Sequence, residues 1–456
     1  MKITFIADTH HYSKTLGTSG KAYELRSGSD QKCLAETGEI IDAAFHQIAE
    51  SDTDAVFILG DVTNDGEMAS HLEFREKLYH LKKSKPVYII TATHDWCCDE
   101  NPRRFEGDKT FHDVEVMKSA DLPEFYKDFG PDVAIDTFIT KIGTICYTVQ
   151  LGDNVRILCL NDDKNENDHA GYTPDCWKWI EKQIKKAKED NCILIGMQHH
   201  LLMPHVSSLI TGGSVCVENR EKVASRFADV GFKYMFAGHS HILATYSFTS
   251  KNGNTITEVN VGSLCGYPAP IVQVEINENG TLTYCVEHLK TFILNGKETE
   301  ALPFLADHAS ALINRMFACR TKEDFEERLS AFNLNGKKFS KYWSLIKPVI
   351  SKLDNMKTYE AYKLLKVLGF AKGVEKDAAK EFKDKPLKEF INEVWLSVLD
   401  GAMNPKDKNS AYYRLVLSVA SVPSKIKKDS KNAKKLIEAA DYALTGGDIN
   451  NQSATI

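Results

Sequence analysis

The sequence predicts an α/β fold followed by an all-α region. Up to about residue 290, short apolar runs alternate with amphipathic helical segments. After Gly238 the pattern changes to strands joined by turns, and from about residue 303 the chain becomes helical. An alternating half followed by hairpins is typical of two packed sheets flanked by helices, in α/β/β/α layers.

The predicted strands are rich in Val, Ile, Leu and Phe along most of their length, as expected where both faces of a sheet are covered. In the alternating half they are Ile3–Ala7, Ala55–Leu59, Pro86–Ile90, Thr144–Val149, Val155–Leu160, Cys192–Gln198 and Lys233–Ala237. The later strands are Leu243–Thr249, Thr255–Val261, Ile271–Ile276 and Thr281–Val286, with Asn252-Gly253 and Asn279-Gly280 as hairpin turns. These runs predict a first domain over residues 1–290.

The helical region predicts a second domain over residues 300–445. Pro303 marks its start, and stripes such as Phe390, Val394, Trp395 and Leu399 predict the core of a helical bundle. The residues from Gly446 onward predict a flexible tail over 446–456.

Length and composition argue against several classes of protein, namely nucleic-acid-binding, membrane and secreted proteins. The length of 456 residues suggests two domains, and the net charge of −6 gives no reason to expect nucleic acid, which needs a concentrated basic surface. No run approaches the roughly 18 apolar residues of a membrane-spanning helix. The first apolar run is too short for a secretory segment, and the eleven cysteines are odd in number and scattered. We therefore expect a cytoplasmic protein without a membrane segment.

Five short motifs each follow the carboxyl end of a predicted strand. They are Asp8-Thr9-His10, Gly60-Asp61, Thr93-His94-Asp95, His199-His200 and Gly238-His239-Ser240-His241. Alone, each could be a turn or a surface histidine. Because ligands of α/β sheets bind outside the carboxyl ends of the strands, we expect the side chains to converge. Carboxylates and imidazoles together suit Mn, Fe or Zn, so the five motifs predict one shared metal centre.

This series resembles the calcineurin-like metallophosphoesterases, whose blocks are Asp-x-His, Gly-Asp, Gly-Asn-His-Asp or Glu, a later His, and Gly-His-x-His. Four blocks match in order across residues 8 to 241. Residues 60–67 with Ser70-His71, and residues 125–130 with Ala134-Ile135, resemble the bacterial cyclic-nucleotide phosphodiesterase branch, which has a helical C-terminal domain. The resemblance implies the metallophosphoesterase β-sandwich.

The resemblance also implies two divalent or trivalent transition metal ions. The ligands of the first would be Asp8, His10, Asp61 and His241. Those of the second would be Asp61, His199, His239 and Thr93, which stands where the family has Asn. A threonine hydroxyl is a weaker ligand than an amide oxygen, so the second site is provisional. His199, rather than His200, is the alignment's choice.

The implied reaction is hydrolysis of phosphodiester bonds, cyclic nucleotides included, by a metal-bound hydroxide. His94 would donate a proton to the leaving oxygen, and Asp95 would orient that imidazole. The substrate would be a small phosphoester, contacted by Arg26, Arg103 and Arg104 from long segments at the same strand ends. Two alternatives stay open: phosphomonoester hydrolysis of a small metabolite, and a degenerate binding scaffold, suggested by Thr93. The sequence does not indicate an oligomeric state.

Overall fold

A computed structural model of the chain describes residues 1–207, 215–331, 337, 340–344, 347, 350, 352, 355–426 and 431–456. The chain divides into two compact units. The first is Met1–His205, Val215–Leu305 and Gln452–Ile456; the second, apart from its undescribed residues, is Val206–Ser214 and Ala306–Asn451. The first unit thus continues past residue 290 to Leu305 and includes the end of the chain.

The eleven predicted strands are all present close to their predicted positions, and the described residues form six further short strands that were not predicted. In chain order they are β1 (Lys2–Ile6), β2 (Ala55–Leu59), β3 (Val87–Ile90), β4 (Arg104–Glu106), β5 (Lys109–Phe111), β6 (Asp136–Ile139), β7 (Ile145–Leu151), β8 (Val155–Cys159), β9 (Ile193–Met197), β10 (Tyr234–Ala237), β11 (Ala244–Thr249), β12 (Thr255–Asn260), β13 (Pro270–Ile276), β14 (Leu282–His288), β15 (Thr291–Leu294), β16 (Lys297–Glu300) and β17 (Ser453–Thr455). One sheet has the order β17-β14-β13-β1-β2-β3 and the other β11-β12-β10-β9-β8-β7-β6.

The two sheets pack face to face and share a core. Apolar side chains of β1 and β2 from one sheet meet those of β8, β9 and β10 from the other. The rings of Phe5 and Phe236 stack across this interface, with centroids 4.0 Å apart. The sandwich therefore buries both inner faces, as the apolar strand sequences predict.

Helices cover the outer faces of the sandwich. The helices of the first unit are α1 (Lys21–Ser27), α2 (Thr37–Ala49), α3 (Met68–Lys82), α4 (Leu122–Phe125), α5 (Pro174–Glu189) and α6 (Arg220–Asp229). Apolar side chains of α2 and α3 pack on β1, β2 and β3, and those of α5 and α6 pack on the second sheet. Helix α5 begins with a proline, and the hydroxyl of Thr173 caps it by accepting from the Cys176 amide at 3.2 Å. The α/β/β/α prediction is confirmed.

The described part of the second unit is mostly helical. Its helices are α7 (Ala301–Phe317, which begins in the first unit), α8 (Lys322–Ala331), α9 (Thr358–Val367), α10 (Lys376–Glu381), α11 (Leu387–Leu399), α12 (Ala411–Ala420), α13 (Val422–Ile426) and α14 (Lys431–Thr445). Phe390 and Leu444 are among the buried residues of its core, and the rings of Phe390 and Tyr412 lie 4.5 Å apart. None of the described helices of the chain is long and apolar enough to cross a membrane.

The prediction of a flexible tail over 446–456 is wrong in its last residues. Strand β17 pairs antiparallel with β14, with Ala454 opposite Tyr284. The reason is that β14 is otherwise an edge strand, whose free amides and carbonyls are satisfied by an added strand.

Candidate metal centre

The parallel strands bring the predicted motifs to one place. Strands β1, β2 and β3 run parallel in one sheet, and β8, β9, β10 and β12 run parallel in the other. The motifs follow the carboxyl ends of β1, β2, β3, β9 and β10. Motif residues that are far apart in the chain can therefore meet at one edge of the sandwich, as the strand-end rule predicts.

The first group of potential ligands is Asp8, His10 and His241. The Nε2 atoms of His10 and His241 lie 3.0 Å apart. Asp8 Oδ1 lies 3.5 Å from His241 Nε2 and 3.8 Å from His10 Nε2. Asp8 is held in place because its carboxylate accepts from the His239 amide at 3.0 Å. We refer to these three residues as the first group.

The second group is Asp61, His199 and His239. Asp61 Oδ2 lies 2.9 Å from His199 Nε2, which in turn lies 3.1 Å from His239 Nδ1. The same carboxylate oxygen is 4.0 Å from His10 Nε2, so Asp61 stands between the two groups. The remaining nitrogen of His199, Nδ1, hydrogen-bonds the Leu59 carbonyl at 2.8 Å, which fixes its tautomer and leaves Nε2 free to bind.

These distances fit metal coordination. Two ligands that each sit about 2.1 Å from one ion, at right or tetrahedral angles, are roughly 3.0–3.5 Å apart. The facing nitrogens of both groups, and the closest carboxylate oxygens, fall in or near that range. Asp8, His10 and His199 are also fully buried, and carboxylates buried next to imidazoles suit a cation. The donors present could therefore hold two ions.

The backbone around these groups is strained. Five of the predicted ligands have positive φ angles between 41° and 70°, a region that non-glycine residues rarely occupy. They are Asp8, His10, Asp61, His239 and His241. Each such residue costs about 1–3 kcal/mol, and such strain clusters at functional sites.

Two glycines make room for the groups. A Cβ on Gly60, whose φ is +86°, would lie 2.8 Å from Ala92 Cβ and 3.1 Å from His199 Nδ1. A Cβ on Gly238 would lie 2.6 Å from Asp8 Oδ2. A side chain at position 60 would therefore crowd the second group, and a side chain at position 238 would crowd the first.

The electrostatics of the groups follow from burial and the shared carboxylate. Burial lowers the pKa of His10 and of His239 well below the ordinary value. Burial acts on His199 in the same direction, but the Asp61 carboxylate outweighs it and raises the pKa of His199. Asp61 itself has a lowered pKa, because the imidazoles overcome the effect of burial. The carboxylate therefore stays ionised.

His94 lies beside both groups and is more accessible than His10, His199 and His241. Its side chain is 36% exposed, whereas His10 and His199 are fully buried. The His94 amide donates to Asp61 Oδ1 at 3.0 Å, and its Nδ1 hydrogen-bonds the Asn64 carbonyl. Asp65 Oδ1 lies 3.7 Å from the same nitrogen. His94 is thus tied to Asp61 and turned toward solvent.

The prediction that Asp95 orients His94 is wrong. Asp95 is fully buried, and its carboxylate accepts from the Ala92 amide at 2.8 Å and the Thr63 amide at 2.9 Å. These bonds tie the loop after β3 to the loop after β2, and among the described contacts no hydrogen bond or ion pair joins this carboxylate to His94. The neighbouring carboxylate is Asp65, which sequence reasoning missed although it lies in the Gly60–Gly66 loop.

Thr93 lies between Ala92, which lies against Gly60, and His94, whose amide is bound to Asp61. Within the described residues its hydroxyl makes no hydrogen bond, and its role as a ligand stays a prediction. His200 is turned toward Asp162, with its Nδ1 3.4 Å from Oδ1. Asp162 also accepts from the amides of His199 and His200, at 3.2 and 3.0 Å. Asp162 is the third residue after the end of β8, so the strand-end rule could have predicted it as a site residue.

The three predicted phosphate-binding arginines are ion-paired. Arg26 pairs with Asp30, and Arg103 makes two bonds of 3.0 Å to Asp65. Arg104 makes two bonds to Asp113, at 2.7 and 2.8 Å. Of the long segments expected to line the substrate site, residues 208–214 lie outside the described residues.

The chain belongs to the calcineurin-like phosphoesterase family, whose profile matches residues 1–243. Members of the family bind two metal ions. No curated protein matches the sequence at a significant level.

The comparison with solved structures finds several similar chains, all with TM-scores below 0.5. A dimetal phosphatase from Danio rerio is 12% identical, with a TM-score of 0.45, over 63% of this chain and 96% of that chain. A purple acid phosphatase from yellow lupin (Lupinus luteus) seeds is 12% identical, with a TM-score of 0.42, over 66% and 52%. A 5'-nucleotidase precursor from Thermus thermophilus is 12% identical, with a TM-score of 0.35, over 69% and 59%.

Proposed function

We propose that this protein is a dinuclear metallophosphoesterase that hydrolyses small phosphodiesters, with cyclic nucleotides as candidate substrates. The observation that supports this most strongly is Asp61, whose carboxylate stands between two three-residue groups of metal-binding side chains. Asp8, His10, His241, His199 and His239 would complete the two sites. The preference for diesters depends on the resemblance of residues 60–67 and 125–130 to the cyclic-nucleotide phosphodiesterase branch.

The metal ions would supply chemistry that the side chains of the site do not provide. When bound, they neutralise the anionic phosphate and lower the pKa of a coordinated water toward ~7, which makes a nucleophile available at neutral pH. Every other part of the reaction falls to the side chains, which must position the phosphate and supply a proton to the leaving group.

His94 is the proton donor in this proposal. Because Nδ1 is bound to a carbonyl, which can only accept, Nδ1 carries a proton and Nε2 is left to face a leaving oxygen. The Asp65 carboxylate at 3.7 Å favours the charged imidazole, and Arg103 in turn holds Asp65. The contacts from Arg103 to Asp65 and from Asp65 to His94 thus replace the Asp95–His94 pair expected from the sequence.

A direct test is metal analysis combined with two chromogenic esters. We expect the purified protein to contain transition metal and to hydrolyse bis-p-nitrophenyl phosphate faster than p-nitrophenyl phosphate. Chelation should abolish turnover, and Mn²⁺ should restore it. A faster rate on the monoester would favour the alternative of a phosphomonoesterase. Absence of both metal and turnover after Mn²⁺ addition would instead indicate a binding scaffold.

A cytoplasmic location is part of the proposal. None of the eleven cysteines, all of which lie in the described part of the chain, is in a disulfide. Cysteines that stay reduced are typical of a reducing compartment.

A further inference from the structure

A third group of metal-binding side chains lies outside the two groups described above. It consists of Asp162, Asp163 and His200. Each residue offers one ligand atom, and the three atoms lie within 4.8 Å of one another. All three residues are at most 5% exposed. We refer to them as the third group.

Two atoms of the third group are buried without a hydrogen-bond partner in the part of the chain that the structure describes. They are Asp163 Oδ1 and His200 Nδ1. His200 Nδ1 faces Asp162 Oδ1 at 3.4 Å, yet makes no hydrogen bond to it. Two ligands that each sit about 2.1 Å from one ion would be separated by roughly that distance. The unused nitrogen therefore points at a carboxylate with the spacing of a shared ion.

The second carboxylate of the third group is held in place by its other oxygen. Asp163 Oδ2 accepts from Trp96 Nε1 at 2.9 Å and from Asn161 Nδ2 at 3.2 Å. Because both donors reach Oδ2, the orientation of the carboxylate is fixed while Oδ1 stays unused. A ligand with one oxygen anchored and the other available is prepared for an ion before the ion arrives.

The third group has little positive charge of its own. Among the described residues, the only ion pair of its two carboxylates is the one between Asp162 and His200. The neighbouring Lys164 does not supply a counter-ion, because its Nζ donates to the Asp168 carbonyl at 3.1 Å and lies over the Trp96 ring. Carboxylates buried in this way are costly unless they are paired or bind a metal. The third group therefore suits a cation from solution.

The third group lies at the same edge of the sandwich as the other two. Its carboxylates follow β8, and His200 follows β9. The rings of His200 and His239 have centroids 4.4 Å apart, so the third group is next to the second. Asp162 also accepts from the amides of His199 and His200, which joins the two groups through the backbone.

We propose that Asp162, Asp163 and His200 bind a third divalent cation beside the second group. Two carboxylates and one imidazole combine hard oxygen and borderline nitrogen donors, a set that suits Mn²⁺ or Zn²⁺. The ion takes the two unused atoms, Asp163 Oδ1 and His200 Nδ1, together with Asp162, and water completes its shell. The proposal does not depend on the proposed phosphoesterase function, because it concerns cation binding alone.

The first test is the number of Mn²⁺ ions bound by the metal-free chain, measured by calorimetry and mass spectrometry. We expect three ions in the wild type and two in Asp163→Asn. The asparagine oxygen can still accept from Trp96 and Asn161, so only the unused oxygen is replaced. The exposed Asp153→Asn is the control and should bind three. A wild type that binds no more than two ions, or an Asp163→Asn protein that matches the wild type, would overturn the proposal.

A pair of variants assigns the lost ion to the third group. Asp61→Asn weakens the first two groups and should keep one ion, and the combination of Asp61→Asn with Asp163→Asn should lose it. Retention of that ion in the double variant would place it outside the third group and contradict the proposal. Neither result depends on whether the protein hydrolyses an ester.

If Asp163→Asn fails to fold, anomalous diffraction from wild-type crystals soaked in Mn²⁺ provides the second measurement. We expect an anomalous peak about 2.0–2.2 Å from Asp163 Oδ1 and His200 Nδ1. Absence of that peak, at a Mn²⁺ concentration that fills the first and second groups, would show that the third group binds no ion.

Discussion

The two ligand groups of the candidate centre differ in how sequence and structure support them. The first group, Asp8, His10 and His241, keeps the family pattern in full, whereas the second has Thr93 in place of an amide. In the structure, by contrast, the second group has the better supported histidine. His199 of the second group is held through Nδ1 by the Leu59 carbonyl, while His10 Nδ1 of the first is buried without a partner in the described residues.

The difference shows that a complete motif and a supported ligand are separate properties. A histidine whose second nitrogen is bound keeps its ring orientation before the ion arrives, and losing such support costs about 10- to 100-fold in metal affinity. Backbone support at His199 can therefore offset part of what Thr93 lacks. We expect two ions of comparable affinity, and the following variants test that expectation.

The largest effect is expected for Asp61→Asn, because Asp61 stands between both groups. Loss of the carboxylate should remove both ions and reduce kcat/KM by more than about 10⁴-fold, since metal charge contributes several kcal/mol. Metal content and steady-state kinetics measure this, with the exposed Asp153→Asn as the control. Loss of one ion only would show that Asp61 belongs to a single group.

His94→Gln should leave both groups intact. We expect a decrease in kcat of roughly 10²- to 10⁴-fold with two ions retained, because only the proton donor is removed. The decrease should be smaller for esters with a good leaving group, which needs no proton. If the variant loses an ion, His94 is a ligand rather than the acid.

Gly60→Ala and Gly238→Ala form a matched pair that addresses one group each. The added methyl should displace His199 in the first variant and Asp8 in the second, and weaken one ion by roughly 10- to 100-fold. Gly60→Ala also places an alanine at positive φ, which costs about 1–3 kcal/mol of stability. Titration of the metal-free proteins with Mn²⁺ measures the two affinities. Equal weakening of both ions in either variant would mean that the groups are not independent.

Thr93→Asn should have the smallest effect. An amide oxygen in this position should raise occupancy of the second site by about two- to tenfold at limiting metal. Thr93→Val, which keeps the shape and removes the hydroxyl, is the control. No change in either variant would show that Thr93 is not a ligand and that the backbone support of His199 is sufficient.

Much of the fold and of the candidate site could be predicted because the signals were local. Strand β2 has the predicted bounds, Ala55–Leu59, because a run of five buried apolar residues after a polar loop has few other structures. Strand β6 was missed because half of its residues are exposed at a sheet edge. Strand β17 was missed because the sequence of Ser453–Thr455 does not indicate that it pairs with β14, which lies far away in the chain.

The supporting residues of the site were harder to predict. Asp65 and Asp95 are both carboxylates near His94 in sequence or in space, and their roles depend on which way each loop turns. The turn at Asp95 is set by the amides of Ala92 and Thr63, which no pattern in the sequence indicates.

The sequence by itself determined the sandwich, the helical region and the six residues of the two ligand groups. It could do so because strand periodicity and the strand-end rule are properties of short segments. Only the tertiary structure decided which carboxylate faces His94 and which nitrogen of His199 is available. Those properties depend on distances between residues far apart in the chain, and such distances exist only once the two sheets have packed.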